Sequence, residues 1–330
     1  MKKYQKLFKS LSRNKNRKVW DQKTKFGAPH KPFLLFSVID QIEVGNIESP
    51  FVPLSQDIID DFMIYWDGIM DNNQKTSIAK PFFHMDSEPF WSLVYENPNK
   101  KYKGYSYTPS LFSLQNKITG ANLDSDLFSE LQQDDVRNVY RQLLLETYFD
   151  PSTKNKILDI SRFNLMSYPY AENLKAMAAE PFEAYHIDKF KNRKTHIPGW
   201  IQNRDYPFSR VVRKNYQHKC AICRSKVLTE DGRSLVEGAH IIPWRESQND
   251  DPRNGLALCP SHHWMFDQYL ITVDENYKII IHNKLAKIGE QIENTLKWNH
   301  EELFLPSNQK YRPASKALES HYSIFKNNKH

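Results

Sequence analysis

The three cysteines of the chain lie within forty residues of one another and beside two histidines. Two residues separate Cys220 from Cys223, and Cys259 and His262 repeat this spacing. Thiolates and a neutral imidazole suit Zn²⁺, and four protein ligands make a closed, structural site. The paired knuckles therefore predict a Cys₃His zinc site, and the alternative is a cluster of buried, reduced cysteines without metal.

A second set of polar residues runs through the same region. Asn254 follows His240 by fourteen positions, and His263 follows Asn254 by nine. The surrounding pattern predicts strand, loop, strand and helix. His262 and His263 would point about 100° apart on that helix, so they cannot share one role. The knuckle spacing assigns His262 to zinc and leaves His263 for a separate task.

The ten glycines exclude several enzyme classes. No two are spaced as required by a G-x-G-x-x-G turn, a Walker A loop or a G-x-S-x-G nucleophile elbow. A Rossmann enzyme, a P-loop ATPase and an ordinary α/β-hydrolase are therefore disfavoured. The odd number of cysteines also argues against a disulfide framework.

The charge of the chain is concentrated at its N-terminus. Residues 1–31 contain eleven Lys or Arg against one acid, Asp21, whereas the whole chain has a formal charge of +7. A basic arm on a near-neutral body favours a polyanion partner such as nucleic acid, and a solvated tail is the alternative. The longest apolar stretch, Phe33–Ile39, is too short to span a membrane, and the N-terminus lacks an apolar signal region. We expect a cytoplasmic protein.

Helix-start and helix-end residues, together with hydrophobic periodicity, predict the helices and strands of the N-terminal half. Pro32 and Gly45 bracket a helix over Phe33–Ile42, and Ser55 is the expected N-cap of the next one. Asp134–Phe149 has a clear helical period, whereas the aromatic segment Lys80–Tyr95 predicts a β-hairpin or two short strands. We expect an α+β protein with domains at 1–170 and 204–330, joined by a linker at 171–203.

The C-terminal motifs resemble those of the HNH, or ββα-metal, endonucleases, in particular the McrA-like restriction branch. The match covers about 204–305 and includes E-x-A-H-I-I-P, N-G-L-x-L-C-P-x-H-H and F-D. The resemblance implies that His240 is the general base, that His263 binds a catalytic Mg²⁺ or Mn²⁺, and that Asn254 fixes the loop and orients the imidazole. A neutral histidine can activate water, and one divalent ion can stabilise the leaving oxygen.

Two positions depart from the HNH pattern. Ala239 stands where many HNH nucleases have an acid or a second histidine, so the catalytic ion lacks one common ligand. Glu237 is nearby, but an alternating strand would place it on the face of Ala239, which favours a structural role. The other departure is His262, since Cys is commoner as the fourth zinc ligand.

Residues 1–165 resemble the sulfur-binding domain of phosphorothioation-dependent restriction endonucleases. The resemblance rests on A-P-H-K-P before a helix, K-P-F-F-H, P-F-W-S-L and L-L-L-E-T-Y-F in this order. It implies an apolar pocket for the sulfur at Pro81, Phe83 and His84, with His30 and Lys31 on the modified backbone. Candidates for ordinary DNA contacts are Lys23, Lys25, Lys101 and Lys103, and a solvated face is the alternative for these lysines.

These patterns together predict a type IV-like restriction endonuclease that recognises phosphorothioate-modified double-stranded DNA and cleaves nearby. Because one HNH site cuts one strand at a time, we expect a homodimer. One alternative is an HNH endonuclease specific for methylated or unmodified DNA. The other is a zinc-stabilised DNA-binding protein without catalysis, against which the intact His240, Asn254 and His263 argue.

Overall fold

The computed structural model describes residues 1–71, 74–97, 110–179, 181–182, 206–283, 285 and 293–327. The fold is mixed α+β and divides into two compact units. Among the described residues, the first unit comprises Met1–Met166 and Thr229–Arg233, and the second takes the remaining residues from Ser167 onward. The division falls within the long helix Pro151–Met177. The expected linker therefore begins inside a helix, and most of its remainder lies outside the described residues.

The first unit combines helices with a three-stranded antiparallel sheet in the order β1-β3-β2. Its strands are β1 (Phe51–Pro53), β2 (Trp91–Tyr95) and β3 (Ile118–Leu123). Its helices are α1 (Lys2–Lys9), α2 (His30–Glu43), α3 (Gln56–Ile69), α4 (Ala79–His84), α5 (Leu111–Gln115), α6 (Ser125–Leu131), α7 (Asp134–Tyr148) and the start of α8 (Pro151–Met177).

Helix α2 forms the centre of this unit. Every residue from Lys31 to Ile42 is buried, as expected of a helix that is apolar on all sides. Its one buried carboxylate, Asp40, pairs with Arg141 at 2.9 Å and accepts a hydrogen bond from Tyr65 at 2.5 Å. The predicted helices at Phe33–Ile42 and Asp134–Phe149 are confirmed within α2 and α7. Ser55 also caps α3 by accepting a hydrogen bond from the amide of Ile58.

The prediction of a β-hairpin or two short strands over Lys80–Tyr95 is wrong for the first half of this segment. Ala79–His84 is helical, and only Trp91–Tyr95 is a strand, whose partner is β3. Aromatic residues favour strands locally, but Phe82 and Met85 are fully buried against the core, and this packing outweighs the local preference. The strand partner lies more than twenty residues away, so local periodicity could not identify it.

The second unit contains two separate two-stranded antiparallel sheets. Its strands are β4 (Glu237–His240) and β5 (Gly255–Leu258), and then β6 (Ile271–Val273) and β7 (Ile279–Ile281). Its helices after α8 are α9 (Tyr206–Asn215), α10 (Trp244–Ser247), α11 (Pro260–Asp267), α12 (Glu293–Leu296) and α13 (Ser315–Asn327). The predicted strand, loop, strand and helix are therefore present as β4, β5 and α11.

A buried histidine anchors α13 to α11. The imidazole of His321 stacks on Phe266 with ring centroids 3.7 Å apart, and its Nε2 lies 3.1 Å from the carbonyl oxygen of Phe266. Its Nδ1 lies 2.8 Å from the hydroxyl of Thr272. Burial lowers the pKa of His321 to about 4, so the ring is neutral near pH 7. The contacts of His321 with Phe266 and Thr272 therefore hold α13 against α11 and β6.

Within the described residues, no helix is both long enough and apolar enough to span a bilayer.

Candidate functional site

The three cysteines and His262 come together in one cluster. Their ligand atoms all lie within 4.8 Å of one another. Nδ1 of His262 is 3.1 Å from Sγ of Cys259 and 3.4 Å from Sγ of Cys220. Cys259 is the N-cap of α11 and His262 lies in its first turn, while Cys220 and Cys223 belong to the turn after α9. One short helix therefore supplies two ligands and one turn supplies the other two.

The donor set of this cluster fits Zn²⁺. Burial opposes protonation of His262, but hydrogen bonds that its ring donates to the sulfur atoms of Cys223 and Cys259 outweigh burial and raise its pKa to about 9. Hydrogen bonds from Cys220 and Cys259 likewise lower the pKa of the Cys223 thiol. The four groups thus share protons and negative charge at one point, where a thiophilic cation would replace the shared protons.

His240 lies at the end of β4 in a tightly defined environment. Its ring stacks on Phe208 of α9, with centroids 3.8 Å apart and an interplanar angle of 6°. Nε2 of His240 is 3.0 Å from Oδ1 of Asp250, and the His240 side chain is 8% exposed. Tyr170 donates a hydrogen bond to the other carboxylate oxygen of Asp250 at 2.7 Å. Phe208 therefore fixes the plane of the His240 ring, and Asp250 fixes the direction in which Nε2 points.

Asn254 is fully buried and holds the loop that follows His240. Its Oδ1 accepts a hydrogen bond from the amide of Ile242 at 2.9 Å. Its Nδ2 donates to the carbonyl oxygens of Ile242 and Asn249, each at 3.1 Å. These contacts agree with the expected role of fixing the loop. The imidazole of His240, by contrast, is oriented through Asp250 and Phe208 rather than by the Asn254 amide.

Two glycines allow α9 to pack against the β4–β5 pair. A Cβ atom on Gly238 would lie 2.7 Å from Cα of Ser209, a backbone atom that cannot move aside easily. A Cβ on Gly255 would lie 2.5 Å from the side chain of Val212 and 2.9 Å from Phe208. The missing side chains therefore permit the close approach that brings Phe208 onto His240.

His263 lies between two carboxylates. Its Nδ1 is 2.9 Å from Oε2 of Glu237, and its Nε2 is 3.6 Å from Oδ2 of Asp267 one helical turn later. The hydrogen bond from His263 lowers the pKa of Glu237, whereas burial raises the pKa of Asp267. Both carboxylates are more than half exposed, so this cluster opens to solvent. The interpretation that favoured a structural role for Glu237 did not include this contact.

The first unit brings the N-terminus of α2 next to α4. Burial, followed by the nearby charge of Lys80, lowers the pKa of His30 to about 3, so its ring is uncharged near pH 7. The ring of His30 lies 4.7 Å from that of Trp66 and 5.4 Å from that of Trp20. Partial burial of the imidazole, followed by the nearby charge of Lys31, lowers the pKa of His84, although the residue as a whole is exposed.

The residues expected to form the sulfur pocket differ in accessibility. Pro81 is buried, Phe83 is half-buried and packs against the core, and His84 is exposed. Lys31 is 7% exposed, pairs with Glu88 and donates to Ser87 at 2.9 Å. Of this group, Phe83 and His84 therefore offer the most surface to a ligand.

The four candidate lysines fall into two pairs. Lys23 pairs with Asp71 at 2.9 Å, and Lys25 is exposed and donates to the carbonyl oxygen of Glu146. Both lie close to the start of α2 along the chain. Lys101 and Lys103 lie outside the described residues.

Residues 220–274 match the family model described as HNH endonuclease. This region is an HNH endonuclease domain. Among solved structures, the protein is similar to a chain described as a modification-dependent TagI restriction endonuclease, with 20% sequence identity and a TM-score of 0.28. That similarity covers 36% of this chain and 37% of the other, so the match spans little more than a third of the relative. No curated protein matches the chain.

The donor atoms around His263 are of the kinds that bind a divalent ion. One imidazole nitrogen and the carboxylate oxygens beside it are ligands that Mg²⁺ and Mn²⁺ accept, and solvent access allows the ion to keep several waters. Glu237 is the nearer carboxylate to His263 and Asp267 the farther. Glu237 can thus supply the ligand that Ala239 cannot.

Sequence reasoning missed three polar or aromatic contributors to the HNH site. Asp267 lies in the quoted F-D pair four residues after His263, and this i,i+4 spacing on the predicted helix could have indicated the contact. Asp250 is the first of two consecutive aspartates between His240 and Asn254, and no role was recognised for it in the motif. Phe208 lies more than thirty residues before His240, and no local pattern connects the two.

Proposed function

We propose that this protein is a modification-dependent restriction endonuclease that recognises phosphorothioate-modified double-stranded DNA and cleaves nearby by a one-metal HNH mechanism. Residues 1–170 form its recognition domain and 204–330 its nuclease domain. The observation that carries the catalytic part is the placement of His240, Asn254 and His263 on β4, the loop before β5, and α11. The Cys₃His cluster supports the same short helix.

His240 is the general base of the proposed reaction. It accepts a proton from a water molecule as the water oxygen bonds to phosphorus and the bond from phosphorus to O3′ breaks. His263 and Glu237 hold the divalent ion, which when bound supplies positive charge at the phosphate and the leaving oxygen. Asn254 keeps the loop after His240 in place, so the imidazole does not have to be ordered during the reaction.

The chemistry at the start of α2 supports recognition of sulfur. A sulfur that replaces a phosphate oxygen is soft and poorly hydrated, so apolar contact favours it, whereas an oxygen would lose hydration there. His30 is uncharged and Lys31 is neutralised by Glu88, so neither presents a free cation that would favour oxygen. The half-buried Phe83 and exposed His84 offer the adjoining surface. The N-terminal segment packs on the core rather than forming a free arm, but its exposed lysines supply attraction to any duplex.

Binding titrations test the recognition part of this proposal. Three duplexes of one sequence would be compared at fixed salt: one with a single phosphorothioate, prepared as separated diastereomers, one methylated and one unmodified. We expect one phosphorothioate diastereomer to bind most tightly. Equal binding of all duplexes, or preference for methylated DNA, would overturn the assignment to phosphorothioate and favour an HNH endonuclease for methylated or unmodified DNA.

We also propose that the active form is a homodimer, because two strands must be cut and each HNH site cuts one. Light scattering of the full chain on the modified duplex should give the mass of two chains plus one duplex. A single chain that cuts both strands in one binding event would contradict this.

A further inference from the structure

We propose that Asp250 is a positioning residue for His240 that selects the tautomer needed for catalysis. The inference rests on the proposed function of His240 as the general base. It starts from the 3.0 Å distance between Oδ1 of Asp250 and Nε2 of His240.

The chemistry of Asp250 and His240 determines which atom carries the hydrogen in this contact. An ionised carboxylate only accepts hydrogen bonds, so the hydrogen in this contact belongs to Nε2 of His240. The lone pair of the neutral ring is then on Nδ1. Within the part of the chain that the structure describes, Nδ1 of His240 forms no hydrogen bond to protein, which leaves it as the nitrogen that can accept a proton from water.

Asp250 is itself held in place by α8. Tyr170 donates its hydroxyl hydrogen to Oδ2 of Asp250 at 2.7 Å, which leaves Oδ1 for His240. The Asp250 side chain is 18% exposed, so the pair is largely protected from competing water. When His240 takes a proton on Nδ1, the resulting imidazolium keeps Nε2–H directed at a carboxylate of opposite charge, which stabilises the charge that develops.

The role of Asp250 can be separated from the stability of its loop. The loop is held by other groups: Asn254 donates to the carbonyl oxygen of Asn249, and the amide of Asp251 donates to Oδ1 of Asn249 at 2.7 Å. Phe208 fixes the ring plane of His240 independently. Replacing the Asp250 carboxylate therefore leaves the backbone contacts of the loop in place and removes the acceptor at Nε2.

The test uses the full chain with Zn²⁺ and Mn²⁺ in single-turnover cleavage assays. Asp250→Asn and Asp250→Ala should lower the rate constant for cleavage by about 100-fold, because the tautomer is no longer selected, while the DNA concentration at half-maximal rate stays within about twofold. Tyr170→Phe removes one hydrogen bond and should lower the rate only about 2- to 10-fold. The matched control Glu275→Gln removes an exposed carboxylate of the same unit and should retain the wild-type rate.

A spectroscopic measurement separates positioning from stability. In protein labelled with ¹⁵N-histidine, His240 is assigned as the signal lost in His240→Ala. It should show the Nε2–H tautomer in the wild type and lose this preference in Asp250→Ala. If both Asp250 variants cleave at the wild-type rate, or if His240 keeps its tautomer without Asp250, the positioning role is wrong. If His240→Ala itself cleaves normally, the proposed general base is wrong and this inference fails with it.

Discussion

Oε2 of Glu237 lies 2.9 Å from Nδ1 of His263, a contact that links the strand carrying His240 to the helix carrying His262. The contact offers the proposed ion site a carboxylate, although Ala239 has no ligand atom. The proposed ion site and the Cys₃His cluster would then use neighbouring residues of α11 without sharing a side chain.

Replacing Glu237 should weaken binding of the divalent ion. We expect Glu237→Gln to raise the Mn²⁺ dissociation constant, measured by calorimetry on the zinc-loaded chain, by about 10- to 100-fold. The exposed Glu275 provides the control, since Glu275→Gln should leave Mn²⁺ binding unchanged. Unaltered Mn²⁺ affinity in Glu237→Gln would remove this carboxylate from the ligand set.

His240→Ala should abolish cleavage and leave DNA binding nearly intact, because the proposed recognition surface lies in the first unit. Loss of a general base lowers the rate by about 10²- to 10⁴-fold. Cleavage rates and binding constants would be measured on the same modified duplex. Wild-type cleavage by the variant would exclude His240 from the mechanism.

Variants of the two neighbouring histidines of α11 should distinguish the structural zinc site from the catalytic ion site. Elemental analysis should find one tightly bound Zn²⁺ per wild-type chain. His262→Ala and Cys259→Ser should lose this zinc and melt at a lower temperature, since metal binding contributes to the folding free energy. His263→Ala should retain the zinc and the melting temperature while losing cleavage. Soluble, active wild-type protein without zinc would contradict the assignment.

A charge introduced at His84 should remove discrimination between sulfur and oxygen. His84→Glu adds a carboxylate that is repelled by the DNA backbone and makes the expected pocket polar. His84 suits this test better than the buried Pro81, because Pro81→Glu would also disturb the packing of α4.

The readout for His84→Glu is the ratio of binding constants for modified and plain duplex. Asn138→Glu adds the same charge at an exposed position of α7 and should preserve that ratio. Lys15→Ala and Lys18→Ala, at exposed positions of the basic N-terminal segment, should weaken binding of both duplexes about equally. An unchanged ratio in His84→Glu would mean that sulfur is recognised elsewhere.

Local signals in the sequence were sufficient for some features and not for others. Ser55 predicted the start of α3 and Pro32 the first turn of α2, because capping and proline act within one turn. The spacing of Cys220, Cys223, Cys259 and His262 predicted their cluster because zinc ligands come in short knuckles. The roles of Lys31 and Asp250 were not predictable, because each depends on a partner far along the chain or on a loop conformation. Lys31, for example, pairs with Glu88, and no periodic pattern in the sequence indicates that these two residues are buried together.

The most direct test of the account is cleavage of two duplexes that differ by a single sulfur atom. The wild-type chain, loaded with Zn²⁺ and supplied with Mn²⁺, would be incubated with each duplex at fixed salt, with His240→Ala as the inactive reference. The account predicts cleavage of both strands near the phosphorothioate and little cleavage of the plain duplex. Equal cleavage of the two duplexes by the wild type would contradict it.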